Sequence, residues 1–233
     1  MGYILVADPI GKLLGRKPRV HFICPVNNEY TYKNVFLRSL QANRYASLTK
    51  VIGATSGAQA FNESIVHLPP GEIAVLVHQD VYLPPYWTDR MEAIFDNLEF
   101  GVAGCVGAGS SGFFADLYAS QTEHIEYNLD KLPALVDSLD ELLLAFPSDT
   151  PIRLDPDLGW HMYGADACVQ AKKWGLQPYA IRNSVVHMCS RVNYVPTLDP
   201  TFLRSLAIFI RKHPDPIRTT MVTVHFDGRI TSP

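Results

Sequence analysis

The chain has 233 residues, 47% of them hydrophobic, with charges scattered along its length, enough apolar material for a single domain with a substantial core. A formal net charge of -3 and a pI near 6.2 leave no basic stripe for a phosphate backbone, which argues against nucleic acid as a partner. No apolar run reaches the roughly 20 residues that cross a bilayer, and the opening Met-Gly-Tyr-Ile-Leu-Val is too short and uncharged for a secretory signal, so a cytoplasmic protein without a transmembrane segment is expected.

Val20 to Val26 is a short apolar run that stops at Asn27-Asn28-Glu29, which reads as a buried strand delivering a polar loop. Asn34 to Asn43 carries Val35, Phe36, Leu37 and Leu40 at helical spacing, and Leu48 to Ile52 reads as a second strand before Gly53. From Gln59, the positions Phe61, Ile65 and Leu68 mark a helix ended by Pro69-Pro70-Gly71. Ile73 to Val77 is the clearest strand and is expected at the centre of the sheet. It runs into His78-Gln79-Asp80, then a Pro84-Pro85 break and a helix with Trp87, Met91, Ile94, Phe95 and Leu98 on one face.

A strand near Phe100 to Val106 leads to Gly104, Gly107, Gly109 and Gly112. These glycines lack the spacing and the following Lys-Ser/Thr of a P-loop, and the expectation is a loop or lid. Leu139 to Phe146 reads as a strand and Asp166 to Trp174 as a helix closed by Gly175. Pro178 to Val186 reads as a last core strand ending at His187, Thr201 to Lys212 as a helix, and Thr219 to Phe226 as an edge strand. Alternating strands and helices predict an α/β fold, a mostly parallel central sheet with helices on both faces, and ligands bound beyond the strand carboxyl ends. The expected organisation is one domain over 1–233, its core at about 20–190, with the C-terminal helix and possible edge strand at 200–233. Cys24, Cys105, Cys168 and Cys189 form no CxxC pair and are expected as free, mostly buried thiols.

Three residues stand out at element ends: Asp80 after the central strand, Asp166 at the start of a late helix and His187 after the last strand. Taken singly, Asp80 reads as a loop-capping aspartate, Asp166 as a helix N-cap behind Gly164-Ala165, and His187 as a satisfied half-buried histidine.

Taken together with Ile23 to Glu29, Gln59 to Asn62, Val75 to Val81, Val136 to Glu141 and His161 to Asp166, in that order, they resemble the GT-A glycosyltransferases. The likeness is to the family-2-like branch with His-Gln-Asp in place of Asp-x-Asp, and it spans about residues 20 to 190. The resemblance implies inverting transfer of a sugar from a nucleotide-diphosphate donor, most simply a UDP- or GDP-sugar, to a hydroxyl of a glycan, lipid-linked or protein acceptor. Mn²⁺ or Mg²⁺, held by Asp80 and His187, would neutralise the diphosphate leaving group. His78 stands where the common pattern has a second carboxylate. Asp166 matches the catalytic base; Pro25, Asn27, Glu29, Asn62, His78 and Gln79 match donor-binding positions; and Asp137, Trp160, His161 and Tyr163 fall in the acceptor pocket.

A non-catalytic nucleotide-sugar or carbohydrate-binding relic of the same fold is the alternative, motivated by the missing carboxylate at His78. A nucleotidylyltransferase should carry a Gly-rich, Lys/Arg-bearing signature near its first strand. Here Gly11-Lys12 to Arg16 precedes that strand instead.

Overall fold

A computed structural model describes residues 2–4, 19–43, 46–119, 123–188, 199–220, 223–225 and 230–231. The first sheet contains β1 (Gly2–Ile4), β2 (Val20–Val26), β3 (Ala46–Ile52) and β4 (Ile73–Val77). Between β2 and β3 a helical run, α1, passes through Glu29–Thr31, a wider π-type stretch Tyr32–Leu37, and Arg38–Leu40. It starts earlier than the apolar spacing indicates because Asn28 caps it, its side chain accepting the Thr31 N–H at 3.1 Å. Helix α2 (Gly57–Ile65) follows β3, capped by Ser56 through the Gln59 N–H, and ends before the two prolines.

After β4 come β5 (Val81–Tyr82), α3 (Trp87–Asn97), β6 (Val102–Gly104), β7 (Val106–Gly109), β8 (Gly112–Ala119) and β9 (Glu123–Tyr127). Next are β10 (Ala134–Leu135), β11 (Ser138–Leu139), β12 (Leu143–Pro147), α4 (Tyr163–Lys173), β13 (Pro178–Ala180), β14 (Val185–His187) and α5 (Pro200–Lys212). Three short strands, β15 (Ile217–Arg218), β16 (Thr223–Val224) and β17 (Ile230–Thr231), form an antiparallel sheet where a single edge strand was expected. Cys189 and the Gly11-Lys12 to Arg16 stretch lie outside the described residues.

The fold is α/β, and β4 is central in an 8-stranded sheet ordered β1-β3-β2-β4-β12-β6-β13-β10. The sheet is mixed rather than mostly parallel. The β-α-β reading holds for β3, β2 and β4, which run parallel, and again for β6 with β13, whereas β12 enters antiparallel to both β4 and β6. Because β3 and β4 lie on opposite sides of β2, the crossovers diverge there and leave a crevice at the carboxyl ends of β2 and β4.

Alternate residues of the central strands supply two cores. Phe22, Cys24, Val75 and Val77 face α1 and α3, packing with Phe36, Trp87 and Met91; Ile23, Ala74 and Leu76 face α2 and α4, packing with Phe61, Ile65 and Cys168. A third cluster, with Leu158, Met162, Phe202, Leu206 and Phe209, seats α5 against the start of α4.

Three sequence expectations change at the second sheet, ordered β11-β7-β8-β14-β5 with β9 beside β8. The glycine segment is not a lid: it forms β7 and the start of β8, and its glycines permit close strand approach. A Cβ at Gly104 would meet Leu143 O at 3.0 Å, and one at Gly107 would meet Ser138 O at 3.0 Å. The strand expected over Leu139 to Phe146 is interrupted at Asp140, whose Oδ1 accepts the Leu142 N–H at 3.1 Å and turns the chain from β11 into β12. The strand expected over Pro178 to Val186 is split between sheets. Buried Asn183 bends it, accepting Trp87 Nε1–H on its carbonyl (3.1 Å) and Arg90 Nε–H on its side chain (3.0 Å).

One polar trio pins β2 to β3. His21 is buried, with Ser47 Oγ 2.6 Å from Nδ1 and Thr49 Oγ1 2.8 Å from Nε2, and burial lowers its pKa to about 4. The unfolded chain therefore takes up this proton first as pH falls. The contribution is complete above about pH 6.5 and lost as pH drops to about 4, on the order of 3 kcal/mol. Urea unfolding between pH 7 and pH 4 should show this loss, and His21→Gln should remove that share of it. An unchanged pH dependence in the variant would assign the loss to other groups.

Candidate functional site

The antiparallel ladder between β4 and β12 extends one residue past the strand, with the His78 N–H donating to Leu142 O at 3.0 Å. The chain then turns, Val81 N–H to His78 O at 3.2 Å, which holds His78-Gln79-Asp80 as a compact corner. Strand β5 leaves that corner and pairs antiparallel with β14, Val186 opposite Tyr82 and His187 opposite Val81, and the Met188 N–H closes on Asp80 O at 2.8 Å. This pairing brings His187 Nε2 to 3.4 Å from Asp80 Oδ2 and the two imidazole rings to 6.2 Å. One ligand atom each from His78, Asp80 and His187 lies within 4.8 Å of the others, and all three residues are half-buried.

The charges are mutually reinforcing. Burial opposes ionisation of Asp80, but the His187 hydrogen bond and the charges of His187 and His78 outweigh it and lower its pKa. Burial likewise opposes the charged form of His187, and the Asp80 hydrogen bond with the charges of Asp80 and Asp140 raises its pKa despite that. His78 goes the other way, its pKa lowered by burial, with His187 and His161 adding to the shift against Asp80 and Asp140.

The tautomer of His78 follows from its neighbours. Tyr163, fully buried, donates its hydroxyl hydrogen to Glu141 O at 3.1 Å, so its oxygen accepts from His78 Nε2 at 3.0 Å. His78 thus carries its proton on Nε2 and keeps Nδ1 free, the state an imidazole needs to ligate a cation.

A cleft of about 450 Å³ opens beside this cluster in the crevice between β2 and β4, lined by Pro25, Asn27, Gly53, His78, Asp80 and Trp160 among others. Gln79 also lines it but spends its amide on the scaffold. Its Oε1 accepts the Asn27 and Asn28 N–H groups, each at 3.0 Å, and its Nε2 donates to Asn27 Oδ1 at 2.5 Å. Ile52, 73% exposed, and Trp160, 41% exposed, give the mouth two apolar flanks.

The remaining residues singled out in the sequence are elsewhere. Asp166 is the fourth residue of α4 rather than its cap, and is buried. Its Oδ2 accepts the Asp155 N–H (3.1 Å) and Gln170 Nε2–H (2.7 Å), and its Oδ1 faces His213 Nε2 at 3.0 Å, so neither oxygen is free for the cleft. Glu29 is an exposed residue paired with Lys50 at 2.5 Å, which lowers its pKa. Asn62 braces the Leu154 backbone, donating to its O at 2.7 Å and accepting from its N at 2.9 Å. His161 bonds Thr201 at 3.1 Å, and Asp137 pairs with Lys172 at 2.5 Å.

Sequence reading placed His78 with the donor residues and gave no positioning role to Tyr163 or Glu141. Helix α4 starts from Met162, in a left-handed conformation (φ 64°), with no side-chain cap of its own. The Glu141 carboxyl lies against the Gly164 and Met162 N–H groups; burial and Asp140 push its pKa up to about 8 despite them.

No family model matches the chain. A protein of Fuscovulum blasticum described as "ATP synthase subunits region ORF 6" is 31% identical over 122 residues, covering 48% of this chain and 49% of that protein, so the chain spans about half the length of the curated relative it matches. Among solved structures, A197 from STIV aligns at 9% identity over 92% of this chain and 93% of that one, with a TM-score of 0.49. Residues 1-349 of S. aureus TarS align at 12% identity over 72% and 57%, and GalNAc-T7 with UDP, GalNAc and Mn²⁺ at 10% over 82% and 47%, each with a TM-score of 0.47. At these scores the likeness concerns the path of the chain and carries nothing about its chemistry.

Gly164 tests how tightly the site is braced, because a Cβ there would lie 2.2 Å from Leu139 O, a backbone atom. Gly164→Ala should cost about 2 kcal/mol or more of stability by forcing the α4 terminus off β11. Chemical denaturation checks this, and a variant as stable as the parent would show that the terminus is loosely held.

Proposed function

We propose that the chain is a GT-A-type glycosyltransferase that moves a sugar from a nucleotide-diphosphate donor to an acceptor hydroxyl with the help of a divalent cation. The observation that carries this reading is the convergence of His78, Asp80 and His187 on one side of a cleft located at the divergence of the crossovers. The donor set fits a cation: one carboxylate ionised by its neighbours, one imidazole with Nδ1 free, and a second imidazole beside the carboxylate. Two imidazoles and one carboxylate favour Mn²⁺ or a similar transition ion over Mg²⁺, which prefers all-oxygen shells. When bound, such a cation neutralises charge building on the leaving diphosphate.

The other groups take supporting roles. Pro25 and Asn27 line the cleft, Asn27 held in place by Gln79, and are the residues we assign to the nucleoside; the Trp160 ring offers a flat apolar surface to a base or sugar. A UDP- or GDP-sugar is the natural donor class, and a glycan, lipid-linked or protein hydroxyl the acceptor. With Asp166 fully engaged, the carboxylate beside the cluster is Asp140, half-buried and close enough for its charge to act on both His78 and His187. One Asp140 oxygen accepts the Leu142 N–H; the other is the group we assign to the acceptor proton in an inverting displacement. The engagement of Asp166 also favours a second reading, a protein that binds the donor without turning it over.

Thermal shifts with UDP-, GDP-, CMP- and dTDP-sugars, with and without Mn²⁺, should show one donor class stabilising the protein only when the cation is present. Asp140→Asn should then lower kcat by about a hundredfold or more with donor binding retained, whereas Asp166→Asn should act mainly on stability. Absence of any shift would sink the donor reading. A shift without turnover in the parent protein would select the binding protein.

A further inference from the structure

Two side chains in the cleft fix each other's amide orientation. Gln79 sits in the corner held by the His78 and Val81 N–H groups, and a single atom of its side chain receives both the Asn27 and the Asn28 N–H groups at 3.0 Å. An atom on which two N–H donors converge is an acceptor, so it is Oε1, and the other end of the amide is Nε2. That nitrogen lies 2.5 Å from a polar atom of the Asn27 side chain, which must then be Oδ1. The polar atom left to Asn27 is Nδ2, a donor with both hydrogens unspent in these contacts. The loop is also held from its other side, since Asn28 Oδ1 accepts the Thr31 N–H at 3.1 Å and ties the next residue to α1. Pinning the loop to the corner requires only the two backbone contacts at Oε1. The third contact touches no backbone, and its effect is on the direction of the Asn27 amide.

Asn27 stands midway along the cleft. In the order β3-β2-β4, His78 and Asp80 follow β4, Asn27 follows β2, and Gly53 and Ala54 follow β3, so the cleft extends two strand spacings, ~10 Å, beyond the cation ligands. A diphosphate held at the cluster therefore leaves its nucleoside along Asn27 toward the end of β3. Side chains at that end are apolar (Pro25, Val26, Ile52 and Ala54) apart from Asn27 and Trp160. The hydrogen-bonding capacity that remains is of one kind: Asn27 Nδ2–H, the second Gln79 Nε2–H and the Trp160 indole N–H all donate. Among the described residues lining that end, no side chain has an acceptor to offer.

We propose that Asn27 reads the base and that Gln79, as its positioning residue, sets what it reads. With Nδ2 turned into the cleft, the site takes a base carrying a keto oxygen at pyrimidine C4 or purine C6, as uracil, thymine and guanine do, and disfavours the amino group that cytosine and adenine carry there. Two facing NH₂ groups leave each other without a partner and keep water from both. The inference rests on the donor reading above and adds the class of base to it.

Calorimetric titration of the full chain in excess Mn²⁺ tests it with UDP, CDP, GDP and ADP, because each pair, UDP with CDP and GDP with ADP, shares its ring size and exchanges keto for amino at that position. In the ring size that binds, the keto base should bind about fivefold or more tighter. Asn27→Asp puts an acceptor where Nδ2 was, because Gln79 Nε2 keeps the other oxygen. Gln79→Glu still accepts the two backbone N–H groups but sets an oxygen against Asn27 Oδ1, so the Asn27 amide turns over and presents Oδ1. Each of these variants should reverse the keto-to-amino preference, whereas Asn27→Ala should bring the ratio to about one. A disordered loop would also abolish the preference, but it would not reverse it. A parent that binds both members of a pair alike, or a ratio that fails to fall below one in Asn27→Asp and Gln79→Glu, would overturn the assignment and leave the donor reading intact. Binding of none of the four nucleotides in Mn²⁺ would remove both.

Discussion

Pairing β5 with β14 requires only two residues on one strand and three on the other, yet the cluster depends on it. Asp80 leaves the central sheet at the end of β4, and His187 arrives on a strand that has already crossed from β13 into the second sheet. Without the ladder between Val81 and His187 and the Met188 contact to Asp80 O, the two side chains would have no common frame. The bend at Asn183, fixed by Trp87 and Arg90 of α3, is what lets the strand change sheets. The apolar core around Trp87 is thereby coupled directly to the position of a candidate ligand.

A second set of constraints fixes His78. The absence of a Cβ at Gly164 and at Gly57 lets Tyr163 lie between α2, the Glu141 carbonyl and the imidazole; a Cβ at Gly57 would meet the Tyr163 ring at 2.9 Å. Each of these contacts is an ordinary packing or hydrogen-bond term of about a kilocalorie. Their joint effect is to choose the tautomer of one histidine, and so to decide whether a nitrogen is free for a cation.

The sequence made much of this legible. Val20 to Val26 and Ile73 to Val77 are strands over the residues their apolar runs indicate, and Pro25, Asn27, His78, Gln79, Asp80 and Trp160 do line one cleft. What was not legible follows from physics that a local pattern does not carry. Helix propensity alone could not show that α4 begins at Tyr163, because the carboxyl that lies against its first N–H groups comes from Glu141 in another segment; Asp166 is in the first turn, as the sequence indicates, but three residues inside the helix rather than at its cap. Glycines at 104, 107 and 109 read as loop formers, although here they permit close strands. Antiparallel entry of β12 depends on the turn at Asp140, a single side-chain hydrogen bond. Among the described residues no helix is long and apolar enough to cross a membrane.

The account rests on His78, Asp80 and His187 acting as one cation site, and a Mn²⁺ titration followed by electron paramagnetic resonance addresses that directly. The account expects one Mn²⁺ per chain in the parent protein, lost or weakened by at least about tenfold in each of His78→Ala, Asp80→Asn and His187→Ala, with the Mg²⁺ affinity lower throughout. Stoichiometric binding that survives all three substitutions, or no binding by the folded parent, would contradict it.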